Sequence, residues 1–280
     1  MTVCIIGAGE LGGAIAHALA RGERVRRVVL IDEAGTVAAG KALDIQQAGA
    51  VEGFHTRVEG TLDITRATGH AVCVIADSAR PPGEWQGESA LAMMQRLHGL
   101  VGEAPVVYAG AGQADLLLSS VGEAGFDRQR TFGSASEALA AATRAIVALE
   151  AQCSPSEVAL SVLGTPPSGF VVPWGEASIG GYALERVLTQ VQIRRVEARV
   201  QRLWPPGPHA LGLAAARVVE GLITSARRAS SVLAVLSGEF GIRGRVGVLP
   251  CYLAPHGIAE VRLPALAPRE RVQLETALGA

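Results

Sequence analysis

Apolar residues in this chain gather in short unbroken runs, without strict alternation with polar ones. Met1-Thr2-Val3-Cys4-Ile5-Ile6, Val28-Val29-Leu30-Ile31-Asp32, Ala71-Val72-Cys73-Val74-Ile75-Ala76 and Pro105-Val106-Val107-Tyr108-Ala109 each have the length of a strand. A strand with no alternation suits a parallel sheet covered on both faces. Between these runs, Gly12 to Leu19 and Glu88 to Val101 read as helices. Alternating strands and helices predict an α/β fold built on a doubly wound parallel sheet.

A second half begins near Gly133. There the pattern predicts an alanine-rich helix from Ser136 to Ala151, then a capped turn at Ser154-Pro155-Ser156-Glu157 and a strand from Val158 to Leu163. Further helices are expected over Tyr182–Leu203 and Leu211–Leu236. Gly247 to Leu253 and Ala259 to Leu263 read as a two-stranded hairpin before a last helix. Arg194, Arg195, Arg199 and Arg202 make one stripe, the ordinary solvated face of a helix. Neither an internal repeat nor a Gly/Ser linker is present.

Composition narrows the function classes. A chain of 280 residues can bury a large core, in one big domain or two smaller ones. A formal net charge of -1 gives no global attraction to nucleic acid or membrane. Lys41 is the only lysine, which reads as a compositional bias toward arginine. Cys4, Cys73, Cys153 and Cys251 form no C-x-x-C pair, and the six histidines lack metal-ligand spacing, so no metal is expected. No apolar span reaches 18 residues, and the first strand leaves no room for a signal peptide, so a cytoplasmic location is expected.

The chemistry starts at Gly7-Ala8-Gly9-Glu10-Leu11-Gly12, a G-x-G-x-x-G between the first strand and a helix. In that context the first glycine permits a tight turn, and the second lets backbone approach a pyrophosphate. The third packs helix on strand, and the helix N-terminus faces the negative charge. Asp32 ends the second strand twenty positions after Gly12, where an acid accepts hydrogen bonds from a ribose and repels a ribose phosphate. A Rossmann-type domain binding NAD in preference to NADP is therefore predicted. Ser136 and Ser168 have no G-x-S-x-G setting, which argues against a hydrolase.

With these residues in hand, the chain resembles the lactate/malate dehydrogenase family along nearly its whole length. The matching stretches are GAGELG, VVLIDEAGTVAAGKALDIQQA, RPPGEW, SPSEVALSVLG, VPWGEASIGG and GEFGIRGRVGVLPCYLAPHGIAEVRLPAL. The resemblance implies an NAD-binding domain over 1–132 and a mixed α/β substrate domain over 133–280. It also implies a pocket between them for a small 2-hydroxy or 2-keto acid, and assembly as a homodimer or homotetramer. The cofactor set it implies is Gly7, Gly9, Glu10, Leu11, Gly12, Asp32, Ala76 and Asp77. Asp77 stands where a glycine is usual and brings a charge to the place of a pyrophosphate or ribose.

The family's catalytic residues carry over poorly. Its general acid/base histidine aligns with Pro166, and the aspartate that holds it aligns with Glu137. The arginine gripping the substrate carboxylate aligns with Ala140, and the loop arginine that polarises the carbonyl aligns with Gln86. An asparagine aligns with Ala109. Arg80 survives where malate-type enzymes bind the distal carboxylate; it reads equally as an exposed loop arginine. His209 and Glu137 are the candidates for a relocated acid/base, and Arg144 for a replacement cation. The plainer readings are a helix-start histidine and a helix-surface arginine. Losing a positioned acid/base costs ~10²–10⁴ in rate, so ordinary lactate or malate turnover is expected to be negligible. Two functions stay open: an NAD-dependent oxidoreductase of altered specificity, and an inactive relative serving as nucleotide sensor, scaffold or subunit partner.

Overall fold

The computed structural model describes residues 1–81, 83–225 and 228–279. Its first part alternates β1 (Thr2–Ile6), α1 (Glu10–Gly22), β2 (Arg27–Ile31), α2 (Gly35–Glu52), β3 (Arg57–Thr61), β4 (Val72–Ile75), α3 (Gly87–Val101), β5 (Val106–Tyr108), α4 (Ala114–Gly122) and β6 (Thr131–Gly133). These six strands pair in the order β3-β2-β1-β4-β5-β6, all parallel. The unbroken apolar runs have the expected cause. Val3, Ile5, Val28, Leu30, Val72 and Val74 bury against one layer of helices. Cys4, Ile6, Val29, Ile31, Cys73 and Ile75 bury with Met94, Leu97 and Leu117 on the other face. Cys4 and Cys73 lie in register in neighbouring strands, and the adjoining Cys4 thiol together with burial pushes the Cys73 thiol well up.

The second part comprises α5 (Ala135–Ala151), β7 (Val158–Ala159), β8 (Leu163–Thr165), β9 (Gly169–Val171), β10 (Ser178–Ile179), β11 (Tyr182–Ala183), α6 (Leu184–Val187), α7 (Gln190–Val200), α8 (Pro208–Thr224), β12 (Ser230–Ser237), β13 (Arg243–Ala254), β14 (Gly257–Val261) and α9 (Pro268–Leu278). Antiparallel β12 joins β6 through Leu233 and Gly133, and the sheet continues through β13, β8 and β9, with β14 on β13. One sheet thus runs across residue 133.

Three expected elements differ. The helix expected over Leu211–Leu236 ends at Thr224, where Ser225 turns left-handed at φ 52°, and Ser230–Ser237 is a strand. A buried strand and a buried helix share the same apolar composition, so periodicity alone does not separate them. The helix expected over Tyr182–Leu203 is a short strand followed by two helices. Thr189 interrupts it by forming a capping box with Gln192 that starts α7 anew. The strand expected over Val158–Leu163 is split, with Val158–Ala159 pairing β10 and Leu163–Thr165 pairing β9 and β13.

Helix α8 crosses α1 with no space to spare: a Cβ on Gly212 would lie 2.7 Å from the Ala14 Cβ. Gly212→Val is expected to lower unfolding free energy by roughly 1–3 kcal/mol through overpacking. Gly40→Ala on α2, whose methyl would meet nothing within 4 Å, is expected to gain up to about 1 kcal/mol from helix propensity. Urea unfolding of the two variants measures both; a neutral Gly212→Val would contradict the tight crossing.

Candidate functional site

The G-x-G-x-x-G turn is built as its chemistry requires. Gly7 sits at φ +109°, and a Cβ there would strike the Asp77 carbonyl at 2.3 Å. A Cβ on Gly12 would lie 2.2 Å from the Gly7 oxygen, so α1 rests directly on the turn. Leu11 is buried beneath the turn and Glu10 is exposed beside it. Ala76, buried at the end of β4, donates its N–H to Ile6 O at 2.9 Å and brings the next residue against the loop.

That residue is Asp77, and it fills the space that Gly9 leaves open. A Cβ on Gly9 would lie 2.3 Å from Asp77 Oδ2. Leu11 N–H donates to Asp77 Oδ2 at 3.2 Å, Gly12 N–H to Oδ1 at 2.8 Å, and Gly9 N–H to the Asp77 carbonyl at 2.9 Å. The carboxylate therefore serves as the anion at the N-terminus of α1, where the helix's unpaired N–H groups and dipole favour negative charge. Asp32 is only 3% exposed. It accepts hydrogen bonds from Ala8 N–H and Ala79 N–H on Oδ2 and from Ala34 N–H on Oδ1, each 2.8 Å. The glycines have the shape a dinucleotide needs, but in this conformation Asp77 takes the pyrophosphate position and the residues do not fit the group.

The segment following Asp77 folds back over the crevice. Asp77 and Glu84 form an antiparallel bridge, and Ser78 N–H donates to Gly83 O at 2.7 Å. Glu84 then accepts from Ala111 N–H at 3.0 Å and Gly112 N–H at 2.8 Å, just ahead of α4. Gln113 bridges the same corner, accepting from Gly110 N–H at 2.8 Å and donating to Ala76 O at 3.0 Å. Ala109 is thus sealed in a backbone corner, with no side chain reaching out of it. Trp85 packs on the core under α3, while Arg80 and Gln86 are exposed. Sequence reasoning passed over Glu84 and Gln113. It also treated Lys41 as composition only, whereas its Nζ donates to Gly9 O at 2.5 Å.

At the position of the expected proton relay the chain is closed. Pro166 is buried in the turn from β8 to β9, and Ala140 is fully buried on α5. Glu137 is 2% exposed, and its two oxygens accept from Arg144 Nη2 at 2.7 Å and from Ser231 N–H at 2.9 Å. Arg144 lies seven residues on, two turns along the same face, so helix geometry pairs the two side chains. It is therefore buried against Glu137, not lying on the helix surface. His209, the second residue of α8, is exposed and lines a groove of about 610 Å³ with Glu10, His17, Lys41 and Asp44. Glu137 lines a different cavity of about 650 Å³, between α1, α5 and α8. The structure does not bring the two proposed acid/base residues together. Among the described residues no group of three or more His, Cys, Asp or Glu is placed to hold a metal, and no helix is long and apolar enough to cross a membrane.

Comparison with known proteins agrees with this architecture. The family model for the lactate/malate dehydrogenase NAD binding domain matches residues 1–91. The malate dehydrogenase of Thioalkalivibrio sulfidiphilus is 29% identical over 296 residues, covering 99% of this chain and 95% of its own length. That of Pseudomonas putida strain GB-1 is 29% identical over 277 residues, covering 92% of this chain and 89% of its own. Among solved structures, malate dehydrogenase from Salinibacter ruber superposes with a TM-score of 0.86 at 24% identity, over 100% of this chain and 94% of the other. The minor L-lactate dehydrogenase of Enterococcus mundtii gives 0.86 at 20% identity, over 99% and 95%. Both likenesses are of fold. The chain is thus similar to the lactate/malate dehydrogenase family, in the NAD-binding domain over residues 1–91 and, at 29% identity to malate dehydrogenases, along nearly its whole length.

Proposed function

We propose that this protein is an inactive relative of the lactate and malate dehydrogenases, one that keeps their nucleotide-binding half as a sensor or subunit partner. The observation that carries the reading is the buried Glu137–Arg144 pair, with a proline at 166 where the resemblance places the family's histidine. Where the resemblance places the aspartate of the family's relay stands Glu137, a buried carboxylate whose oxygens are already taken by Arg144 and Ser231. A general base must reach the proton that it moves, and both Glu137 oxygens are held by hydrogen bonds within the protein. Ala140 offers no cation for a substrate carboxylate. The division into a nucleotide half over 1–132 and a former substrate half over 133–280 belongs to this proposal, as does homodimeric or homotetrameric assembly.

In the reading's most direct test, NADH oxidation is followed with oxaloacetate and with pyruvate. Rates at least ~10²–10⁴ below those of a catalytic relative are expected, unchanged by Glu137→Gln or His209→Ala. Measurable turnover that either substitution abolishes would instead establish an oxidoreductase of altered specificity. A structural role for the buried pair has its own signature. Arg144→Met should cost roughly 3–5 kcal/mol in unfolding free energy by leaving the Glu137 charge without its cation; a neutral effect in urea unfolding would contradict it.

Any nucleotide that the protein takes up is proposed to be NAD(H), because a 2′-phosphate would face the Asp32 carboxylate at the end of β2. Calorimetric titration should show NADPH binding at least about tenfold more weakly than NADH, and equal affinities would remove the preference.

A further inference from the structure

The segment Asp77–Ala79 engages both groups that the glycine loop and the second strand offer a nucleotide. Its first residue sets a carboxylate against Gly9 and on the N–H groups of Leu11 and Gly12. Its third residue gives its own N–H to Asp32 Oδ2 at 2.8 Å. An anion on the helix N-terminus and a hydrogen-bond donor on the acid that ends β2 are the two chemical features of a dinucleotide's pyrophosphate and ribose. We propose that Asp77–Ala79 is an internal occupant of the dinucleotide cradle, an autoinhibitory contact that a nucleotide has to displace. The proposal rests on reading the crevice as a nucleotide site.

The surrounding structure holds this occupant from both sides. Downstream, Glu84 bridges back to Asp77 and accepts the N–H groups of Ala111 and Gly112. On the other side, Gly9 N–H donates to the Asp77 carbonyl. Asp77 itself is half-buried, not sealed in the core. Leaving would cost its bonds to Leu11 and Gly12, and bonds to an ionised carboxylate are the stronger kind. A ligand that needs the vacated N–H groups then binds with an affinity reduced by the fraction of molecules in the open state.

The test compares the protein with Asp77→Gly and Asp77→Asn by calorimetric titration with NADH and, separately, inorganic pyrophosphate. Circular dichroism and thermal unfolding verify that each variant is folded. Asp77→Gly is expected to bind NADH about 10–100-fold more tightly than the unsubstituted protein, from removal of two charge-assisted hydrogen bonds that compete with the ligand. Asp77→Asn should fall between them, because its amide oxygen still caps α1 without a charge; it carries the same comparison should Asp77→Gly fail to fold. A gain for pyrophosphate with none for NADH would keep the autoinhibitory contact and refute the dinucleotide reading. Equal affinities across the folded proteins, or no binding of either probe by any of them, would overturn the proposal.

Discussion

Backbone N–H groups at the start of a helix have no partners within it, and in a parallel α/β sheet several such starts converge on one edge. This structure meets that demand with its own carboxylates. Asp77 serves the first turn of α1, Asp32 the approach to α2 through Ala34, and Glu84 the approach to α4 through Ala111 and Gly112. Gln113 adds a neutral side chain to the same corner by accepting from Gly110. Two of these carboxylates, on Asp32 and Asp77, stand one and two residues after the parallel strands β2 and β4, so strand order and helix capping depend on each other. The edge on which open α/β sheets receive ligands is here tied together from within.

The second half is organised around a different buried charge. Glu137 joins α5 to β12 through Ser231 N–H, and Ser136 Oγ reinforces the link by donating to Ser231 O at 2.8 Å. Because β12 carries the sheet from β6 to β13, this link fixes how the two parts of the sheet meet. An ionised side chain with so little contact with water persists only when paired and hydrogen-bonded, and Arg144 supplies the pairing. The arrangement that stabilises the carboxylate also engages both of its oxygens.

Much of the fold could be read before the structure, and the parts that could be read share a cause. β1, β2, β4 and β5 declare themselves because burial on both faces forces continuous apolar sequence. The turn at Gly7 to Gly12 declares itself because its sterics are local: φ +109° at Gly7 and a contact between Gly12 and Gly7. β12 stayed hidden since Ser230–Ser237 is apolar and buried with no periodicity to mark it as a strand. Helix α2 was hidden for the opposite reason: it buries only Ala38, Ala42, Ile45 and Gly49, a stripe too slight to stand out.

The sequence by itself determined the α/β class, the glycine turn with an acid twenty residues on, and the proline at 166 and alanine at 140 where the resemblance aligns the family's catalytic side chains. Each is a matter of residue identity or of contacts within a few positions. Only the tertiary structure decided what the remaining charges do. The N–H groups that receive the Asp77 carboxylate lie 65 and 66 residues away, and Ser231, which binds Glu137, lies 94 away. Whether a carboxylate faces a ligand or a backbone amide depends on which distant segment packs beside it, and no local pattern of residues encodes that.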